Sequence, residues 1–257
     1  MDSKRSIRVL IILLVAVNIF MGVYMFYLNF SDKRITNENE YIKTLMEYRD
    51  IIIECDIPPY EAASFFPRKV NYETNSLTTY LKGLKGLVFE DLDQETITFI
   101  PDIDFSLEPK EENSMEALAR TFIDSLPLDQ DKYVLDSIFA SSLNSYKLAF
   151  KFCEKDTHIY NSYIFVYINK DRIERVEIGV IAYEMLDFEY VKPSVSIGNI
   201  LVSNFVKEGQ TSLVIKKIDS GYIFDKKADV FVYVYRVMYD NGKERFFSVI
   251  NGNEIKD

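Results

Sequence analysis

The chain holds one histidine, two cysteines and no tryptophan among 257 residues, with only nine glycines and seven prolines. Each shortage removes a class of function. One His with Cys55 and Cys153 cannot build a His/Cys zinc cluster, a CxxC redox pair or a disulfide framework. So few glycines disfavour Gly-rich phosphate loops and collagen-like or low-complexity structure. Positive charge is also scarce outside the start: residues 1–34 carry a net of +3 and the remainder −13. A body this acidic repels phosphate backbones, so no nucleic-acid partner is expected. Apolar and aromatic side chains are abundant instead. Hydrophobic residues reach 48%, with 19 Phe and 18 Tyr, a composition that suits a folded, strand-rich chain.

From Val9 to Phe30 no charged residue occurs. As a helix this run would extend ~33 Å, enough for a hydrocarbon core of ~30 Å. Tyr24 and Tyr27 stand near its end, where an aromatic belt belongs. No Ala-x-Ala site follows and the first Cys is Cys55, so an uncleaved anchor is expected rather than a signal peptide. Lys4, Arg5 and Arg8 precede the run, which places residues 1–8 in the cytoplasm, 9–30 in the membrane and the bulk of the chain outside. At about 100° per residue, Ile11, Leu14, Asn18, Gly22, Met25 and Asn29 fall within roughly 40° of one line. Gly22 permits close approach of another backbone, and the two amides can bond across helices, so this stripe is the expected partner-binding face of the anchor.

Beyond the anchor the pattern predicts α+β structure. A membrane-proximal region is expected over 36–107 and a distal region over 113–257, divided by the charged break Glu108–Asn113. Residues 37–54 read as an amphipathic helix with Tyr41, Leu45, Tyr48 and Ile52 on the apolar side. Strands are expected at Lys69–Thr74, Gly86–Glu90 and Thr96–Ile100. In the distal region a helix Met115–Leu126, capped by Ser114, precedes strands Tyr133–Phe139, Ser145–Cys153, Asn161–Ile168 and Arg172–Ile181. Tyr163, Phe165 and Tyr167 alternate with Ile164, Val166 and Ile168, which predicts one aromatic and one aliphatic face. A second helix, Ile197–Lys207, is capped by Ser196 and ended by Gly209. Strands Ser212–Ile218, Gly221–Phe224, Val230–Tyr239 and Glu244–Ile250 follow it. Asp240-Asn241-Gly242 signals a hairpin with positive φ at both turn centres. Helix followed by antiparallel meander thus occurs twice, at 114–181 and 196–255, the pattern of an internal repeat.

No catalytic constellation emerges. His158 reads as an exposed loop residue between strands, and no Gly-x-Ser-x-Gly elbow accompanies it. Cys55 and Cys153 could bridge outside the cell or remain thiols. The carboxylate pairs Glu90-Asp91, Asp102-Asp104, Glu111-Glu112 and Asp187-Glu189 read as solvated faces. Asp91-x-Asp93 lacks the Gly and distant Glu of a calcium loop. No metal, cofactor or enzymatic activity is expected.

The basic start MDSKRSIR, the anchor, the amphipathic helix and the closing hairpin together resemble the YycI (WalI) family of Gram-positive bacteria. The hairpin carries the resemblance through Tyr233-Val234-Tyr235-Arg236-Val237, Asp240-Asn241-Gly242 and Phe246-Phe247-Ser248-Val249-Ile250-Asn251-Gly252-Asn253-Glu254-Ile255. Its ending is also similar to the close of PepSY-like domains. The resemblance implies a single-pass membrane protein with repeated PepSY-like helix-plus-sheet units. It also implies function by contact: partners would be a WalK-type sensor histidine kinase and a YycH-like accessory protein, in a two-component system governing cell-wall metabolism. The alternative is an anchored PepSY-like module that binds or inhibits an extracellular peptidase. An anchored cell-wall hydrolase is a third reading, disfavoured by the missing catalytic residues.

Overall fold

The computed structural model describes residues 13–15, 17–24, 38–59, 65–70, 75–91, 95–102, 114–142, 144–179, 181, 183–186, 194–205 and 213–255. They form a mixed α+β structure dominated by antiparallel sheet. Two compact units emerge: Met1–Ile53 with Leu201–Leu213, and Glu54–Ile200 with Val214–Asp257.

In the first unit, residues 13–15 and 17–24 are helical and exposed. They are the described part of the apolar run. Among the described residues no helix is long and apolar enough to cross a membrane. A helix at 38–47 (α1) is shorter than expected and turned differently. Asp50 adopts the left-handed region at φ 56° and ends it, and Ile51–Ile53 continues as strand β1. The helix buries Ile42 and Met46, four residues apart, while Tyr41 and Tyr48 stay exposed. Period two then takes over, with Ile51 and Ile53 buried and Ile52 outside. The aliphatic residues occupy the core, and the tyrosines keep their hydroxyls in water.

The second unit contains strands β2 (Phe66–Lys69), β3 (Gly86–Asp91) and β4 (Thr96–Pro101), with helix α2 (Asn75–Gly83) between β2 and β3. The strand expected at Lys69–Thr74 therefore lies earlier. The pattern did not predict α2, which is held by Leu77 and Leu81, four residues apart and fully buried. Helix α3 (Met115–Ser125) begins as expected, with the Ser114 hydroxyl accepting from the Ala117 amide at 3.1 Å. It buries Ala119, Phe122 and Ile123, and Phe122 stacks on Phe99 of β4 at 5.9 Å.

After α3, strands β5 (Tyr133–Ser142), β6 (Ser145–Glu154), β7 (Thr157–Asn169) and β8 (Arg172–Gly179) pair in sequence, all antiparallel. Two tight turns join them without glycine. Lys155-Asp156 and Lys170-Asp171 each take positive φ at both positions, the geometry that matches strand twist in a two-residue hairpin. Strand β9 (Tyr183–Leu186) pairs separately with β2.

Helix α4 (Ile197–Asn204) starts at Ser196, whose hydroxyl accepts from Asn199 N at 3.3 Å. It ends before Lys207 and Gly209, which lie outside the described residues. In the first unit, Arg49 Nη1 donates to the carbonyls of Val202 at 2.6 Å and Phe205 at 3.1 Å. A cation there satisfies the open carbonyls of the helix end. Strands β10 (Leu213–Asp225), β11 (Val230–Tyr239), β12 (Glu244–Ser248) and β13 (Glu254–Ile255) then form another antiparallel meander. The two strands expected at Ser212–Ile218 and Gly221–Phe224 are one, bulged between Ile215 and Lys217.

A short parallel contact, Gly221↔His158 and Tyr222↔Ile159, joins β10 to β7. The strand order is β13-β12-β11-β10-β7-β8-β4-β3, with β6 and β5 on the other side of β7. Ile164, Val166 and Ile168 are buried on one face, and Tyr163, Phe165 and Tyr167 lie half-exposed on the other, as their alternation predicts.

The Asp240-Asn241-Gly242 hairpin forms, but only Gly242 has positive φ, at 78°. Three residues span the turn, with the Tyr239 amide donating to Lys243 O at 2.9 Å. That is a type I turn closed by a left-handed residue. A Cβ on Gly242 would stand 2.9 Å from the Phe139 ring. Gly242→Val should therefore lower unfolding free energy by about 1–2 kcal/mol, read by urea denaturation, and Gly242→Asn should cost clearly less.

Candidate functional site

Among the described residues of the second unit, a dense polar site surrounds Arg236 on β11, whose side chain is wholly buried. Strand pairing brings its partners together. Asp219 on β10 stands directly opposite Arg236, and Glu244 on β12 lies two residues from its other partner, Phe246. Asp136 comes from β5, where a bulge between Leu135 and Ser137 takes it out of the ladder. All five guanidinium N–H groups are used. Nε and Nη2 hold the two Asp219 oxygens, Nη1 and Nη2 hold those of Asp136 at 2.7 Å, and Nη1 also reaches Glu244 Oε1 at 2.7 Å. The guanidinium carbon lies 4.6 Å from the Tyr160 ring centroid, and the Tyr160 hydroxyl donates to Asp219 Oδ1 at 2.8 Å. Lys217 bonds Asp136, and Lys151, buried on β6, donates to Glu244 Oε2 at 3.3 Å.

Three basic side chains thus meet three acids. Burial alone would raise the Asp136 carboxyl. Hydrogen bonds and charge from Arg236, then Lys217, outweigh it and hold the group well below the usual carboxylate range. Burial is opposed in the same way at Asp219, which is also lowered. Burial pushes Lys151 down against the attraction of Glu244. An acid catalyst needs a carboxyl held protonated near neutrality, and both aspartates are shifted the other way. The arrangement acts as a strut that ties β5 and β6 to β10, β11 and β12.

His158 is a correction to the sequence reading. It lies within β7, half-buried, with its ring 5.9 Å from that of Tyr160. Burial lowers its pKa. Donor atoms of Asp136, His158 and Asp219 fall within 4.8 Å of one another. The set does not suit a metal ion, because Arg236 and Lys217 already occupy the carboxylate oxygens and a dication would face both cations.

The second unit carries two further surface features. A cleft of about 680 Å³ is lined by Lys132, Tyr133, Phe152, Glu154, Tyr183 and Met185, among others. Lys132 and Glu154 pair there at 2.7 Å, and Phe152 meets Tyr133 and Tyr183 edge-on at 5.3 and 5.6 Å. The half-exposed sheet face carries stacked Tyr163 and Phe165, with Lys147 Nζ 3.6 Å from the Phe165 centroid and Arg175 4.1 Å from Tyr167. Burial, then Glu177, pushes the Tyr167 hydroxyl up to about 12.

Of the stripe residues, Leu14, Asn18 and Gly22 fall in the described helical segments and are exposed. Asn18 Nδ2 donates to Leu14 O at 2.8 Å. Nothing lies within 4 Å of where a Gly22 Cβ would stand. Ile11, Met25 and Asn29 lie outside the described residues. Cys55 and Cys153 are half-buried thiols that form no disulfide, and Cys55 follows β1 rather than ending a helix. Glu90 and Asp91 are exposed on β3, while Asp104, Glu111, Glu112, Asp187 and Glu189 lie outside the described residues.

No known family model matches the chain, and no curated protein matches it. Among solved structures it is similar to YycH from Bacillus subtilis, at 10% identity and a TM-score of 0.48, over 77% of this chain and 54% of that one. The chain thus spans about half the length of YycH. It is also similar to an uncharacterized protein from Eubacterium rectale ATCC 33656, at 10% identity and a TM-score of 0.42, over 81% of this chain and 91% of that one.

Removing Arg236 should leave Asp136 buried with too little positive charge. Arg236→Leu is expected to cost about 3–5 kcal/mol, and Arg236→Leu with Asp136→Leu less than the two single changes added together, in a denaturation cycle. Acid should act in two windows. A half-buried His158 whose pKa is lowered costs stability as pH falls below about 6.5, where the unfolded chain takes up a proton. The lowered aspartates hold their contribution above about pH 4 and lose it as pH falls towards their folded values. His158→Asn should flatten the stability profile just below about pH 6.5 and leave the lower window in place.

Proposed function

We propose that the chain is a non-enzymatic regulator, anchored by Val9–Phe30 with its N-terminus in the cytoplasm, that modulates a WalK-type sensor histidine kinase by contact. A YycH-like accessory protein is its second partner, and the chain is of the YycI type. The observation that carries the reading is the combination of the uncharged Val9–Phe30 run with the closing hairpin, the residues on which the family resemblance rests. The Arg236 site supports it in a different way. Its guanidinium is buried and saturated internally, so it holds the surrounding sheet in one shape for contact with a partner. The region over 36–107 is membrane-proximal, and the PepSY-like helix-meander units over 114–181 and 196–255 form the distal part.

The anchor stripe of Ile11, Leu14, Asn18, Gly22, Met25 and Asn29 is the docking face for the kinase's membrane helices. Interhelical bonds of the Asn18 type are worth roughly 0.6–2 kcal/mol in a bilayer. A second reading, a peptidase-binding module, draws on the aromatic cleft around Tyr133, Phe152 and Tyr183, which has room for side chains of an extended peptide.

Affinity purification of the full chain from detergent-solubilised native membranes separates the two. A histidine kinase in the eluate supports the regulator, and a peptidase in its place supports the module. In a membrane crosslinking assay, Asn18→Leu with Gly22→Leu should weaken kinase association while insertion stays intact. Ile12→Leu with Phe20→Leu, on the opposite side, should leave association unchanged. Equal association for both pairs removes the stripe as the interface.

A further inference from the structure

Strand β3 is an edge of the sheet. It pairs with β4 on one side, and among the described residues no strand pairs with it on the other. Edge strands are commonly protected by proline, an inward charge, a bulge or extreme shortness. Gly86–Asp91 has no proline and no bulge, and the charge on its inner face, Glu90, is already paired with Lys82 at 3.2 Å: six residues in regular register, with Leu87 59% and Phe89 54% exposed on the other face.

The direction of its backbone groups follows from one bond. Asp102 N donates to Lys85 O at 3.1 Å, which makes Lys85 and Asp102 a hydrogen-bonded pair of the β3–β4 ladder. Antiparallel ladders alternate, so Lys85, Leu87, Phe89 and Asp91 turn their N–H and C=O groups towards β4. Gly86, Val88 and Glu90 turn theirs to the open edge.

An added antiparallel strand must meet those three residues with its own outward set, which restricts a symmetric pairing to alternate registers. With the two-fold axis at Val88, Gly86 stands opposite Glu90 of the partner copy and Val88 opposite its counterpart. On the exposed face Leu87 then meets Phe89, and Lys85 meets Asp91, twice each by symmetry. An axis at Leu87 would set Lys85 against Phe89, and one at Phe89 would set Leu87 against Asp91. Only the Val88 register places apolar on apolar and positive on negative. The order Lys85-x-Leu87-x-Phe89-x-Asp91 is therefore complementary to itself when reversed.

We propose that β3 is a self-association edge, and that two copies of this chain pair through it in a two-fold antiparallel register centred on Val88. Isologous pairing of this kind closes the edge and continues the sheet across the dimer. The inference is independent of the proposed function, since it needs neither the kinase nor the anchor stripe.

The test is sedimentation velocity of the full chain in density-matched detergent. The wild type is expected at twice the 30.0 kDa chain mass, with dissociation on dilution. Val88→Pro removes an outward N–H that β4 does not use and should give monomers with unchanged circular dichroism. Lys85→Glu should weaken the dimer about tenfold, by putting like charges opposite in both copies, and Lys85→Glu with Asp91→Lys should restore it. This charge pair decides the matter should Val88→Pro fail to fold. In a Cys55→Ser, Cys153→Ser background, Val88→Cys should form an intermolecular disulfide on mild oxidation, since facing hydrogen-bonded residues lie about 5.5 Å apart at Cα. A monomeric wild type, a dimer that survives both Val88→Pro and Lys85→Glu, or oxidation of Val88→Cys only to a different protein in membranes would each overturn the proposal.

Discussion

Arg236 carries a full positive charge into a place with no access to water, and the surrounding sheet is arranged around that fact. A guanidinium has five donors in a fixed plane, and leaving one unmet in a low-dielectric interior is costly. The structure meets all five with three carboxylates drawn from β5, β10 and β12. This demand fixes register. A one-residue slip of β11 against β10 would turn Arg236 to the other face and strand Asp219. The bulge in β5 serves the same end, since it delivers Asp136 to the planar fork. Replacing such a group by hydrocarbon can be neutral for stability, so its clearest physical effect is on which packing is allowed.

The sheet divides its faces sharply. Helices α2 and α3 contribute Leu77, Leu81, Phe122 and Ile123 to the buried interior. The opposite face keeps Tyr163, Phe165 and Tyr167 partly in water, with Lys147 and Arg175 laid across the rings. Cations stacked in this way shield aromatic surface while leaving their charge hydrated. The exposed face of β3 lacks that cover, and there Leu87 and Phe89 stand open.

Much of the local structure was legible in the sequence because it depends on neighbours in the chain. The Ser114 cap, the two-period alternation of β7 and the β11–β12 turn are each set by residues within a few positions. The missing parts depend on distance. Arg236 sits in a run of Val, Tyr and Met, where a lone buried charge signals distant counter-charges but cannot say which carboxylates supply them. His158 looked like a loop residue because the Lys155-Asp156 turn is tighter than expected and the strand resumes at Thr157. In α1, Tyr41 and Ile42 offered two apolar stripes one position apart, and the more aliphatic one faces inward. Helix α2 is short, and only Leu77 and Leu81 mark it.

Asp136 and Arg236 are 100 residues apart in the chain, whereas each meander is built from hairpins whose strands follow directly on one another. The entropy of closing a loop grows with its length, so hairpins close at little cost and the ionic contact closes the long loop between them. The parallel contact of β7 with β10 spans only two residue pairs and supplies little enthalpy of its own. Docking of the two meanders therefore draws on the apolar cluster of Tyr160, Ile223, Val234 and Phe246 and, beside it, on the guanidinium, where a misplaced approach leaves the charges unmatched. The strut thus acts as a check on assembly: apolar surface tolerates near misses, and the five-donor fork favours one docking geometry over them.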